Sequence, residues 1–494
     1  MGTRPTFLGH PRGLATLFFT EMWERFTYYG MRAVLVLFLV RAVSSGGFGI
    51  DDRTAAAIYG LYTAGVYLAA LPGGWVADRL IGARHAVLGG GLLITLGNTL
   101  LAASSTPRGF YLGLVVIVLG VGLLKPNVSV MVADLYPEGG ARLDAGFTVF
   151  YMGINLGATL GPIVTGEAQA LIGPRAGFGV AALFMAMGVL QYQLTQRHLG
   201  DAGKYAAAPA AGPPRPAAPK PWLHLWLGLG VSTLALAACS FGWLPMNPLD
   251  LAHASALVIA ATAFLYFGHL FLAGNLSAEE KRRALVIVVL FLGSALFWSG
   301  YEQAGSSLNL FAQRYTERAV GHFVIPASWF QSLNPAFVIA FAPLVAWVWI
   351  ALARRHLNPS APAKFAIGVI LMGSGFLVMA AAASWVARGS KVLPYWLMTT
   401  YLLHTLGELC LSPVGLSYVT KLSPKRLVGQ MMGMWFLSLS LGNLAAGLIA
   451  GEFDVKNVAA MSGQYMRIVY FSVGLGALLL VSSRPVRKLM GEVQ

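Results

Sequence analysis

Seven charged side chains stand out inside long apolar stretches of this chain: Glu21, Glu24, Arg25 and Arg32 together in the first stretch, then Lys125, Glu302 and Glu408 far apart. Carrying one charge to the middle of a bilayer costs about 3 kcal/mol, so seven would cost roughly 20 kcal/mol, more than a domain's usual net stability. They must compensate one another, and groups kept at that cost are where chemistry is expected. At about 100° per residue, Glu21, Glu24, Arg25, Tyr28 and Arg32 share roughly a third of a helix circumference. They form one polar stripe. Arg25 can bond either glutamate, and Tyr28 offers a hydroxyl one turn further on.

The distribution of sign matters as much. Glu21, Glu24, Arg25, Arg32 and Lys125 give the first half a net +1 inside the membrane, and Glu302 with Glu408 give the second half −2. Such a dipole suits a zwitterion with separated ends, its carboxylate towards Arg25, Arg32 and Lys125 and its ammonium towards Glu302 or Glu408. The sum leaves one more acid than base. Burial and a neighbouring cation act in opposite directions on a carboxyl group's hold on its proton, so a glutamate whose arginine partner changes between conformations works as a proton switch. Lys125 is followed by Pro126 and Asn127, and Glu408 by Ser412 and Pro413. Both helices are expected to be interrupted beside their charge.

Helices that cross a membrane must position these groups. With 57% apolar residues, 11% charged residues and a mean hydropathy of +0.67 over 494 residues, the chain reads as an all-α polytopic membrane protein. Fourteen spans are expected, near 13–40, 54–77, 86–105, 109–133, 145–170, 177–196, 222–243, 248–273, 284–305, 327–351, 364–386, 393–418, 429–450 and 464–483. No separate cleavable signal is expected before the first. The net charge of +15 does not point to nucleic acid, because Lys and Arg concentrate in the loops and tails predicted to be inside, with both termini cytoplasmic. Cys239 and Cys410 fall within spans and are expected to pack rather than to form a disulfide.

Residues 1–198 are expected to form an N-terminal six-helix bundle, and the Ala- and Pro-rich stretch 199–221 a cytoplasmic linker. Residues 222–275 would add two lipid-facing helices, and 276–494 a C-terminal six-helix bundle. Setting the extra pair aside, the charges fall on helices 1, 4, 7 and 10 of twelve. That period is expected of a three-helix repeat nested in each half and arranged around one transport pathway. A hydrolase would need a nucleophile with its base or a metal site, and the spans hold no HExxH, GxSxG or paired aspartates.

Several motifs then resemble the proton-dependent oligopeptide transporter family of the major facilitator superfamily. Glu21-Met22-Trp23-Glu24-Arg25-Phe26 is similar to that family's ExxER signature. Gly73-Gly74-Trp75-Val76-Ala77-Asp78-Arg79 resembles the superfamily's loop motif, and Phe150-Tyr151-Met152-Gly153-Ile154-Asn155-Leu156-Gly157 the family's helix 5 signature. Phe297-Trp298 with Glu302-Gln303, and Glu408 through Ser412-Pro413 to Lys421-Leu422-Ser423-Pro424, match its helices 7 and 10. The resemblance implies the superfamily fold of 6+6 helices with two inserted helices, as in bacterial members. It implies a proton-coupled symporter of di- and tripeptides at the cell membrane, without a cofactor, working in lipid as a monomer. The alternative is the same machine with another anionic or zwitterionic cargo, such as nitrate or a peptide-like drug.

For the site, the resemblance implies coupling through Glu21, Glu24, Arg25 and Lys125, with Arg25 and Lys125 also near the peptide carboxylate. It implies that Arg32 and Glu302 exchange a salt bridge, that Glu302 carries the proton and that Glu408 takes the peptide ammonium. Asn155 and Asn334 would bond the peptide backbone, while Tyr28, Tyr29, Tyr67, Trp298 and Trp435 would line side-chain pockets. One departure stands out: Gly60 occupies the position where mammalian members carry a histidine. Coupling must then rest on the glutamates, with His404 expected mainly to pack.

Overall fold

The computed structural model describes residues 6–204, 247–453 and 458–490. Among them are thirteen long helices: α1 (Arg12–Val40), α2 (Asp52–Val76), α3 (Gly82–Ala103), α4 (Pro107–Asp134), α5 (Gly140–Leu171), α6 (Ala176–Thr195), α7 (Pro248–Ala273), α8 (Ala278–Tyr301), α9 (Leu333–Arg354), α10 (Ala361–Val386), α11 (Tyr395–Leu422), α12 (Val428–Gly451) and α13 (Val458–Val481). Each corresponds to one expected span. The expected span 222–243, Cys239 and most of the linker lie outside the described residues. Among the described residues, ten stretches of helix are long and apolar enough to cross a membrane. Helices α1 and α11, which carry five of the seven charges, are not among them.

The expected interruptions are corrected. Helices α4 and α11 run continuously through Pro126 and Pro413, as α2, α5 and α9 run through Pro72, Pro162 and Pro343. A proline removes one hydrogen bond of the ladder, and packed neighbours hold the rest in register. The break falls instead after Tyr301, where α8 tightens into a 3₁₀ turn, Glu302–Gly305, before a short helix, Ser307–Tyr315.

Contacts group the chain into two compact units, Met1–Val34 with Gly65–Asp250, and Leu35–Ala64 with Leu251–Gln494. In the first, α3 packs on α4 and α6, and α5 on α6. Helix α5 also seats on α1 through Gly153, Gly157 and Gly161. A Cβ at Gly157 would stand 2.1 Å from the Met22 carbonyl oxygen, and one at Gly161 would stand 2.3 Å from that of Phe26. This small-residue stripe lets two backbones touch, as in close crossings of membrane helices. Thr27 and Thr165 tie α1 to α6 and α5 by hydrogen bonds to the Ala181 and Gly30 carbonyls, at 3.1 and 2.9 Å. Gly157→Val is therefore expected to lower the thermal midpoint and the yield of folded protein. Overpacking costs about 1–3 kcal/mol when side chains can yield, and here the obstacle is backbone. Gly474→Val, where a Cβ meets nothing within 4 Å, is the matched control in a thermal-unfolding comparison.

Residues 199–204, where the expected linker starts, make specific contacts. Leu199 and Ala202 are buried, Arg84 donates to the Ala202 and Gly200 carbonyls at 2.7 Å, and the Gly203 amide donates to Asp134 at 3.1 Å.

In the second unit, α8 packs on α12, α10 on α11 and α13, and α9 on α11. Leu35–Ala64 groups with this unit by its contacts. Arg314 holds Asp52 through two hydrogen bonds of 2.5 and 2.7 Å, Ser440 donates to the Ala64 carbonyl at 3.1 Å, and Gly60 meets Gly447 backbone to backbone. Helix α7, expected to face lipid alone, exposes Leu257, Phe264 and Leu272. Its other side is anchored, Tyr266 donating to Gln430 at 3.0 Å and Phe267 packing edge-on against Phe291.

Candidate functional site

In the first unit the polar stripe of α1 is buried: Glu24 is 0% exposed, and Glu21, Arg25 and Arg32 are each 4% exposed. Because α5 covers the Phe18, Met22 and Phe26 side of α1, the Glu21-Arg25 face is left for charge chemistry. Arg25 Nε stands 3.3 Å from Glu21 Oε1 and makes a very short contact with Glu24 Oε2. One guanidinium thus serves two carboxylates in a setting where isolated charges would be prohibitive. The Arg25 guanidinium also lies 5.0 Å from the Tyr28 ring centre, and that of Arg32 4.7 Å from Tyr29. Lys125 Nζ sits 4.4 Å from the Tyr67 ring centre. Tyr28, Tyr29 and Tyr67 thus each present a ring to a cation, which suits a ring face placed beside a desolvated charge. Asn155 is buried on α5 and donates to the Tyr151 carbonyl at 2.9 Å.

The second unit holds the two remaining acids. Glu302, 3% exposed, begins the 3₁₀ turn after α8, and its Oε2 accepts from the Tyr59 hydroxyl at 3.1 Å. Gly305 makes that approach possible, since a Cβ there would lie 2.1 Å from the same hydroxyl oxygen. Glu408 Oε2 accepts from Tyr301 Oη and from Asn334 Nδ2, each at 2.9 Å, and Asn334 Nδ2 also reaches Thr405 Oγ1 at 3.0 Å. Asn334 is the second residue of α9, where a 3₁₀ turn leads into the helix. Trp298 packs edge-on to Tyr301, and Trp435 lies against Phe365 and Gly415.

His404 is buried with Nε2 3.1 Å from the Met372 carbonyl oxygen and its ring near Phe376. That is a packing environment. At Gly60, a Cβ would stand 3.1 Å from Gly447 Cα, so a histidine-sized side chain would force α2 and α12 apart.

Two site residues escaped the sequence reading, Tyr59 and Tyr301. A signal existed: each is a hydroxyl inside an apolar helix beside a singled-out residue, and a buried hydroxyl needs a partner.

Among the described residues no group of His, Cys, Asp and Glu could hold a metal ion. Within each unit, then, the acids are met by a base or by oriented hydrogen-bond donors.

The chain is similar to known proteins along nearly its whole length. The description "POT family" belongs to the family profile that matches residues 84–209 and 217–479. Over 500 residues the chain is 41% identical to the peptide transporter YePEPT of Yersinia enterocolitica, covering 99% of this chain and 97% of that one. It is 33% identical to the di-/tripeptide transporter of Lactococcus lactis subsp. cremoris over 507 residues, covering 100% and 99%. Its structure superposes with a TM-score of 0.90 on a crystal structure of a variant of peptide transporter POT in complex with alafosfalin, at 38% identity, with 99% and 97% of the chains covered.

Proposed function

The chain belongs to the POT family of membrane transporters, and from that membership we propose that it is a proton-coupled symporter of di- and tripeptides. The observations that carry this reading are, within the first unit, a buried Glu21-Glu24-Arg25 network and, within the second, a Glu408 carboxylate oriented by Tyr301 and Asn334. Arg25 and Lys125 receive the peptide carboxylate, Glu408 the ammonium, and Asn155 and Asn334 the backbone. Glu302 carries the proton. Peptide and proton enter from outside together, and Glu302 gives up its proton to the cytoplasm and re-forms its pair with Arg32 as the outer side closes. The protein sits in the cell membrane as a monomer with both termini cytoplasmic and needs no cofactor beyond the proton gradient.

The test is uptake of labelled dialanine by liposomes holding the purified protein under an inward proton gradient. Accumulation above equilibrium, abolished by a protonophore and competed by other dipeptides but not by nitrate, is the expected result. Downhill entry without accumulation would make the protein a channel for its cargo, and competition by nitrate alone would replace the peptide with an inorganic anion.

A further inference from the structure

We propose that Tyr301 is a positioning residue that sets the affinity of Glu408 for the peptide's ammonium and ties it to the state of Glu302. This rests on the transport reading above. The starting point is geometry: the Tyr301 hydroxyl and the Asn334 amide both donate to the same oxygen of Glu408, at 2.9 Å each. Two donors on one oxygen fix the carboxylate plane and supply solvation that buried surroundings withhold. A carboxylate accepts through about four lone-pair sites, so an ammonium can still be received.

The link to the proton site is covalent. Tyr301 is the last residue of α8 and Glu302 the first of the 3₁₀ turn, so the two acids are served by consecutive residues at a change of helical pitch. Glu302 is held from the other side by the Tyr59 hydroxyl. Little slack exists around this joint. A Cβ on Gly300 would lie 2.2 Å from the Met372 sulfur, and the Tyr301 ring is stacked on Phe297 at 5.6 Å and met edge-on by Trp298 at 4.9 Å. A tight joint passes displacement on. When Glu302 gains a proton or changes partner and the turn resettles, the hydroxyl one residue earlier must shift on Glu408, and the ammonium site changes with it.

Tyr301→Phe isolates the hydroxyl, because the ring keeps its place between Phe297 and Trp298. Thermal unfolding of each variant in parallel confirms that it is folded. The measurement is counterflow exchange of dialanine in liposomes, which needs no gradient, for wild type, Y301F, E302Q and the double variant. Y301F is expected to raise the half-saturation concentration for dialanine about tenfold, the worth of one hydrogen bond to a charged group. Inhibition by propionyl-alanine, which lacks the ammonium, should stay unchanged. The fold-changes of Y301F and E302Q should fail to multiply in the double variant, by about threefold or more.

An unchanged half-saturation in Y301F, an equal loss for propionyl-alanine, or fold-changes that multiply would each overturn the proposal while leaving peptide transport standing. A wild type that exchanges no dialanine would overturn both.

Discussion

Glu302→Gln is expected to abolish accumulation of dialanine under an inward proton gradient while leaving a substantial part of gradient-free exchange intact. Glutamine keeps the shape of the side chain and a carbonyl oxygen that can accept from the Tyr59 hydroxyl, which stands 3.1 Å from Glu302 Oε2. It can neither release a proton nor become an anion. In the proposed cycle the return of the empty carrier needs Glu302 to give up its proton, whereas exchange of loaded carrier does not. A measurement of accumulation ratio against exchange rate on the same liposomes separates the two. Accumulation retained at the wild-type ratio would remove Glu302 from the coupling role and shift attention to Glu21 and Glu24.

The second large effect concerns Arg25. It is the counter-charge to two carboxylates, Glu21 and Glu24, in a network no more than 4% exposed at any member. Arg25→Met removes the charge and keeps the length. Breaking a buried pair from one side costs about 3–5 kcal/mol, because the partner charge stays behind. The variant is expected to lose uptake to background, and its thermal midpoint should fall by several degrees at neutral pH. Arg25→Lys keeps the charge and gives up the planar fork that spans both acids, so it should fold better than Arg25→Met and still transport poorly. Wild-type stability and uptake in Arg25→Met would show that Glu21 and Glu24 are compensated elsewhere.

Much of the molecule was legible in its residue order, for reasons that are local. Membrane burial puts the same requirement on each span separately, some twenty largely apolar residues with their backbone bonds satisfied internally. Most described helices could therefore be placed from hydropathy alone, and α1 and α11 once the charges they carry are accepted inside a span. The α1 stripe was legible because helical periodicity fixes which of Glu21, Glu24, Arg25 and Tyr28 share a face, and their mutual contacts follow from a spacing of three or four residues. Glu302 and Glu408 were legible as charges out of place.

Prolines misled in the same local way. Beside Lys125 and Glu408 they suggested breaks, and the helices run through them. The actual break at Glu302 has no proline. It lies between Gly300 and Gly305, whose lack of side chains matters only because Met372 and Tyr59 stand against them.

What residue order alone determined, then, is the inventory: the spans, the buried acids and bases, and the face of α1 on which four charges meet. Tertiary structure decided the partners. Tyr59 reaches Glu302 across 243 positions and Tyr301 reaches Glu408 across 107, while Leu35–Ala64 joins the second unit through contacts with residues hundreds of positions away. The periodicity of a helix says which way a side chain points and nothing about what comes to meet it. That is settled only when close crossings, such as Gly157 on α1 and Gly60 on Gly447, bring distant backbones near enough for a hydroxyl to find a carboxylate.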